Sequence, residues 1–207
     1  MKGPTALILD FGGVLAHPQP ERLVRAMADR LGVPLPALED AYWRHRARYD
    51  RGLTAAKYWC RVLETLDRVR DPRDDLVAEL IELDVASWTT YRDEVWQLAR
   101  GFRERGGRTA LLSNGVPEVM ARVRADRDLN GWFDVVIVSY EVGLAKPDPR
   151  IYRRCLEQLK IAPEEALFVD DRADNVEAAA RLDLRVLHFT GPETIPRLRG
   201  LLAENAD

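Results

Sequence analysis

Cysteine is nearly absent from this chain: Cys60 and Cys155 are the only two in 207 residues, and they lie far apart. A disulfide framework and a zinc site built on cysteine pairs are thereby excluded, and both thiols are expected to be reduced. A surplus of charge of one sign is missing as well. The 31 basic and 34 acidic residues leave a formal net charge of −3, so nothing marks the chain as a partner of nucleic acid or of an anionic membrane. No apolar run is long enough to cross a bilayer, and the N-terminal stretch MKGPTALILDFGG meets a charge too soon to be a signal peptide. Internal repeats, low-complexity segments and flexible linkers are lacking too. The expectation is a cytoplasmic globular protein.

What the chain does have is apolar material in short pieces. With 46% hydrophobic residues it can build one good core and a subdomain. Five runs of strand length stand out: TALILD (5–10), RTALLSN (108–114), DVVIVSY (134–140), EALFVDD (165–171) and LRVLHF (184–189). They are almost continuously apolar and are separated by segments of helical period. That pattern predicts parallel strands buried on both faces and joined by right-handed βαβ crossovers. The fold class expected is α/β, a doubly wound, Rossmann-like parallel sheet. Asp10, Ser113, Ser139 and the pair Asp170 and Asp171 stand at strand ends. Ligands of such sheets bind outside the carboxyl ends of the strands, so these side chains are expected to converge on one crevice.

Residues 17–97 contain no strand-like run. Helical stretches such as PERLVRAMADRLG, PALEDAYWRHRARYD, TAAKYWCRVLETL and DDLVAELIELDVASW are punctuated there by Gly32, Pro34, Gly52 and Pro72. This insertion is expected to form an all-helical cap, with residues 1–16 and 98–207 forming the core. Its aromatics (Tyr42, Trp43, Tyr49, Tyr58, Trp59, Trp88 and Tyr91) are expected to pack between the cap helices. Arg46, Arg48 and Tyr49 fit a solvated helix face. The junctions near residues 16–20 and 89–101 are candidate hinges, with Gly101 able to absorb rotation.

The stretch ILDFGGVLA (8–16) places a lone carboxylate, Asp10, at the end of a buried run, where it needs a partner or a metal ion. Asp170 and Asp171 would join it in one crevice, and three like charges repel unless a cation compensates them. A hard divalent ion, Mg²⁺ above all, answers that need, because it takes oxygen ligands and keeps several waters. Ser113 and Asn114 precede a helix and could bind an anion or simply cap it. Lys146, before Pro147 and Pro149, could neutralise phosphoryl charge. Asp174 and Asn175 could support the acidic loop or cap the helix that follows.

Four motifs in order, LDFGGVL, LLSNG, KPDPRIY and FVDDRADN, together resemble the haloacid dehalogenase superfamily over nearly the whole chain. Within it the chain looks like the phosphatase branch with a cap inserted after the first strand, which includes bacterial sugar-phosphate phosphatases. The resemblance implies Asp10 as the nucleophile that forms an aspartyl-phosphate, with Ser113 and Lys146 as its catalytic partners. It implies phosphate binding by Ser113, Asn114, Lys146, Phe11 and Gly12, and Mg²⁺ held by Asp10, the carbonyl of Gly12, Asp171 and the adjacent Asp170. The substrate would be a small phosphorylated metabolite. A metal-free haloacid dehalogenase and a non-catalytic phospho-ligand binding protein of the same fold are the alternatives.

One position departs from the family's pattern. Phosphatases of this superfamily usually carry an acid two residues after the nucleophile, and here that residue is Gly12. Positioned acid–base help is worth roughly 10² to 10⁴ in rate. Either the leaving group needs little protonation, as in an anomeric sugar phosphate or an acyl phosphate, or a cap residue such as His17 or His45 supplies the proton, or catalysis has faded. On this reading Gly12→Asp should restore turnover of poor leaving groups.

Overall fold

The computed structural model describes residues 3–68 and 75–203; the expected break at Pro72 lies outside them. Five parallel strands, β1 (Ala6–Leu9), β2 (Arg108–Ser113), β3 (Val135–Val138), β4 (Ala166–Asp170) and β5 (Arg185–His188), form one sheet in the order β3-β2-β1-β4-β5. All five predicted strands are present, and the chain's first strand is the central one. β1 pairs with β2 and β4 on its two sides, Leu9 lying opposite Leu111 and Val169.

The apolar runs are continuous because each strand feeds two cores. Leu7, Leu9, Leu111, Leu167 and Val169 point to one face, while Ala6, Ile8, Ala110, Leu112 and Phe168 point to the other, as the two-residue side-chain period requires. The second face is covered by α9 (Pro149–Leu159) and α10 (Ala173–Ala180) through Ile151, Tyr152, Cys155 and Ala179. The first face is covered by α5 (Asp93–Glu104), α6 (Pro117–Asp126) and α11 (Ile195–Ala203), with Trp96, Met120 and Leu198 fully buried. The arrangement is the expected Rossmann-like α/β core.

The helical cap consists of α1 (Glu21–Leu31), α2 (Leu35–Tyr49), α3 (Ala55–Thr65) and α4 (Asp75–Trp88). Tyr42, Tyr49, Tyr58 and Trp59 are buried between these helices, as expected, whereas Trp43 is 51% exposed. The apolar cluster beneath the cap is continuous with that on the first face of the sheet. Hydrogen bonds tie cap to core directly: the Tyr49 hydroxyl donates to Glu118 at 2.9 Å, and the Ser139 hydroxyl donates to the carbonyl of Asp50 at 2.5 Å.

The chain's exit to the cap and its return run side by side. Ala16 bridges Tyr91 in antiparallel fashion, the His17 N–H donates to Thr90 O at 2.8 Å, and the Arg92 N–H donates to Leu15 O at 2.8 Å. The expected boundary at residue 97 runs through α5, a continuous helix packed on β2. Gly101 lies inside that helix, with its amide hydrogen-bonded in the helical ladder, so it is not where a hinge would turn.

A polar group is buried inside the cap. The Tyr42 hydroxyl donates to Asp84 at 2.7 Å and accepts from Trp88 Nε1 at 2.9 Å and from Arg46 at 2.5 Å. Burial pushes the Asp84 carboxyl up to about 6, although Arg46 and the Tyr42 hydrogen bond pull it down. The folded protein therefore holds this proton at pH values where the unfolded chain, with a carboxyl near 3.9, has released it. The stabilisation is fully present below about pH 4 and is lost as pH rises through about 6. Thermal melts of wild type and Asp84→Asn between pH 4 and 7 should diverge in slope, the wild type losing on the order of 2 kcal/mol more over that range. Parallel curves would show that Asp84 does not titrate in the fold.

Candidate active site

Asp10 continues the β1 ladder by one residue, its N–H donating to Val169 O at 3.0 Å, and the chain then turns abruptly. The turn, Phe11–Leu15, is closed by the Ala16 N–H donating to Phe11 O at 2.8 Å and contains two glycines with non-helical backbone angles. Gly13 has φ +72°, and a Cβ there would collide with the carboxylate of Asp171, so this position requires glycine for its backbone and for its space. The Phe11 N–H donates to Asp10 Oδ1 at 2.7 Å and so fixes the carboxylate's orientation. Arg92, returning from the cap, donates from Nε to Val14 O at 3.2 Å, which fastens the same turn from behind.

Lys146 is fully buried and bridges two acids, with Nζ 2.8 Å from Asp10 Oδ1 and 2.6 Å from Asp170 Oδ2. Its backbone is held by Asn114, which accepts from the Lys146 N–H and donates to the Lys146 carbonyl, both at 2.8 Å. The Lys146–Pro147 peptide is cis. Asp170 also accepts from the Arg172 N–H at 2.9 Å and from Asn175 Nδ2 at 3.0 and 3.2 Å. Burial opposes the charge on Lys146, yet its two carboxylate partners outweigh that and raise its pKa.

Carboxylate oxygens of Asp10, Asp170 and Asp171 lie within 4.8 Å of one another. Fully ionised, three acids against one ammonium leave two negative charges in excess, with Asp10 and Asp170 buried and Asp171 exposed where it lines the cavity. Burial pushes Asp10 up to about 7; Lys146 draws it down, and Asp170 and Asp171 push it up. The buried Oδ1 of Asn175 has no hydrogen-bond partner. An all-oxygen donor set with excess negative charge fits a hard divalent cation, and thiol or imidazole ligands are absent from it.

A cavity of about 640 Å³ opens above this cluster and runs beneath the cap. Asp10, Phe11, Gly12, Ser113, Asn114, Lys146 and Asp171 all line it, as do Gln19, Tyr42, Trp43, Arg46 and Trp88 from the cap side. Asp170 is fully buried behind Lys146. Ser139, expected at the crevice, is elsewhere: its hydroxyl serves Asp50 O and Gly115 O, because a one-turn helix, Ser139–Val142, starts directly after β3 and sets this residue against the end of α2. Asn114 faces the cavity, but its side chain clamps Lys146. Asn175 supports Asp170, whereas Asp174 forms an exposed pair with Arg172 at 2.8 Å.

The cap residues differ most from expectation. Arg46 and Tyr49 are buried and only Arg48 lies on a solvated face. Neither histidine reaches the cavity: His17 is exposed, and His45 Nε2 bonds Thr65 Oγ1 at 2.8 Å. Beside Gly12 stands Trp88, whose Cζ3 would lie 3.0 Å from a Cβ placed on the glycine. Gly12 and Trp88 are 76 positions apart in a single chain with no periodic link, so no signal in the sequence pairs them.

With this geometry in hand, the family is clear. A model of the haloacid dehalogenase-like hydrolases matches residues 4–183. The chain belongs to that family. Among curated relatives it is 42% identical over 104 residues to phosphoserine phosphatase from Thermus thermophilus, 38% over 101 residues to acyl-CoA dehydrogenase family member 10 from mouse, and 28% over 184 residues to phosphatase MT3486 from Mycobacterium tuberculosis. These matches take in 47%, 48% and 87% of this chain, and they span 42%, 9% and 85% of the respective relatives. Among solved structures, a HAD family enzyme of Bacteroides thetaiotaomicron in complex with magnesium and inorganic phosphate superposes with a TM-score of 0.73 at 21% identity, covering 90% of this chain and 94% of that one. The L-2-haloacid dehalogenase from Xanthobacter autotrophicus superposes with a TM-score of 0.66, also at 21% identity, covering 97% and 87%. These two likenesses show the shared fold.

The indole beside Gly12 alters what a restored acid would do there. Gly12→Asp would set its Cβ 3.0 Å from the Trp88 ring, closer than ordinary contact, and add a fourth negative charge to the cluster. We expect this variant to be less stable than wild type by roughly 1–3 kcal/mol, and Trp88→Ala in the same chain to recover part of the loss, both read from thermal melts. An unchanged midpoint in Gly12→Asp would show that Trp88 yields freely and that the earlier expectation of restored turnover stands.

Proposed function

We propose that the protein is a Mg²⁺-dependent phosphomonoester hydrolase of a small phosphorylated metabolite. The observation that carries this reading is the buried Asp10 carboxylate, aimed into the cavity, hydrogen-bonded to Lys146 and set in a cluster whose excess charge calls for a divalent cation. The phosphatase names of the Thermus and mycobacterial relatives support it. So does the presence of magnesium and phosphate together in the Bacteroides enzyme.

In this reading Asp10 attacks phosphorus, the ester oxygen departs toward the cap, and water later attacks the aspartyl-phosphate and restores the carboxylate. The Phe11 N–H and Lys146 hold Asp10 in its reactive orientation. Lys146 and Ser113 face the phosphoryl oxygens and offset the charge that gathers on them. Asn114 and Asp170 act indirectly, by fixing Lys146 from its backbone and from its ammonium. Asp10, the carbonyl of Gly12 and Asp171 would hold the Mg²⁺, with Asp170 adjacent; the ion supplies positive charge to the phosphoryl group and to the crowded carboxylates. The helices between residues 17 and 97 serve as the cap that shields the reaction from water and reads the organic part of the substrate.

Metal-free dehalogenation through attack on carbon is a second use of such a carboxylate. The charge excess at Asp10, Asp170 and Asp171 speaks against it. Hydrolysis of p-nitrophenyl phosphate by wild type and Asp10→Asn, each with Mg²⁺ and with EDTA, tests the reading. Turnover should require both Asp10 and Mg²⁺, falling by at least about a thousandfold when either is removed. Phosphate release that survives Asp10→Asn or EDTA would overturn it.

A further inference from the structure

We propose that the cavity is built for aryl phosphates, that is, phosphomonoesters of a phenol whose ring lies against the indoles of Trp43 and Trp88 and whose phenolate departs without a proton from the protein. The inference rests on the phosphatase reading above and adds the class of its substrate.

The first ground is that, among the described residues, each acid lining the cavity besides the nucleophile is paired, assigned to the cation as Asp171 is, or exposed as Glu39 is. Tyr42 already donates its hydroxyl proton to Asp84 and accepts from Trp88 and Arg46. Asp50 is bound to Arg46 Nε at 2.7 Å and Asp174 to Arg172 at 2.8 Å. Glu39 lies exposed at the rim. Beside Asp10, where a proton donor would be most useful, the space next to Gly12 holds the Trp88 ring. A leaving group that must depart unprotonated has to be a stable anion, and aliphatic alkoxides are not. Phenolates and carboxylates are.

The second ground is the character of the wall, which chooses between those two. Val24 lines the cavity together with the two tryptophans, backed by the fully buried Met27, Val116 and Met120. Trp43 is the one large apolar side chain left exposed among the described residues, at 51%, and it opens onto this cavity. Its ring meets that of Trp88 edge to face, with centroids 6.3 Å apart and planes at 88°, so the two indoles form a corner. The corner is fixed in advance: Trp88 Nε1 is anchored on Tyr42, and the Arg46 guanidinium lies 5.2 Å from the Trp88 ring centre and 5.9 Å from that of Trp43. An aromatic leaving group would cover this surface, and an acyl phosphate as small as acetyl phosphate would not. A sugar would leave its hydroxyls against apolar groups and against cap polar atoms that already bond one another. Arg46 lines the same wall with its charge already met by Asp50 at 2.7 Å, so its part is to hold the two indoles in place.

The step balances without a further reactant. A carboxylate oxygen of Asp10 forms the new bond to phosphorus as the bond from phosphorus to the aryl oxygen breaks. The electron pair leaves on the phenolate, which is protonated by solvent. Water then adds to phosphorus, the aspartyl bond breaks, and phosphate departs.

The test compares kcat/KM, with Mg²⁺ present, for a series of ring-substituted phenyl phosphates, acetyl phosphate, glucose 1-phosphate and propyl phosphate. Phenyl phosphates should exceed propyl phosphate by at least about a hundredfold, exceed acetyl phosphate and glucose 1-phosphate, and fall steeply as the phenol becomes less acidic. Trp43→Ala should narrow the preference for phenyl over acetyl phosphate by about tenfold through KM. Acetyl or glucose 1-phosphate turned over as well as the phenyl esters, or a flat dependence on the phenol, would overturn the inference and leave the phosphatase reading standing. Ring binding is read separately from turnover by quenching of tryptophan fluorescence, where phenylphosphonate should act at about tenfold lower concentration than methylphosphonate. Equal action of the two would refute the aromatic corner, whereas failure of every ester to turn over would refute the phosphatase reading instead.

Discussion

Everything at the site depends on one buried ammonium. Lys146 Nζ touches Asp10 at 2.8 Å and Asp170 at 2.6 Å with no exposure to water, so the ends of β1 and β4 and the loop before α9 are joined at a single point. A buried ion pair is stable only when its remaining hydrogen-bonding capacity is met. Asn175 and the backbone N–H groups of Phe11 and Arg172 meet most of that need, while Asn114 holds the backbone of Lys146. Even so the charge does not close, because Asp171 adds a third carboxylate to the same space. Folding alone would not favour such a cluster; the proposed binding of a cation and a phosphoryl group would give it a use.

The cap bears on this cluster through shape more than through charge. Its polar residues Tyr42, Arg46, Asp84 and Gln19 bond among themselves and to Ser87 and Trp88, which satisfies them inside an otherwise aromatic layer. The product of that closed network is a fixed indole over Gly12. Glycine at this position and tryptophan at the end of α4 therefore form one packing unit, and the missing side chain near Asp10 is a space already filled. Ala16 is fastened to Tyr91, and Arg92 to the turn after Asp10, so both connections of the cap are bonded to the segment that follows the carboxylate.

The core was legible in the sequence because its signals are local. Continuous apolar runs of strand length mean burial on both faces, and the parallel sheet with helices on either side follows from that. A carboxylate closing such a run has few bland explanations, so Asp10, Asp170 and Asp171 could be picked out together, and Lys146 through the resemblance carried by KPDPRIY. Even here local reading has a limit. Ser139 follows β3 much as Ser113 closes β2, yet it opens a one-turn helix and bonds the end of α2, since the path a chain takes after a strand depends on what it must pack against.

What the sequence by itself determined is the sheet, the order of its strands along the chain and the acids and lysine at their carboxyl ends, all set by periodicity and by motifs of a few residues. The tertiary structure alone decided which cap side chains face Asp10. Arg46 and Tyr49 read as surface on a helix of mixed polarity but are buried against neighbouring helices, and Trp88 reaches Gly12 across 76 residues of chain. Such contacts are fixed by the packing of four helices against one another and against the sheet, and helical period says which residues share a face without saying what that face meets.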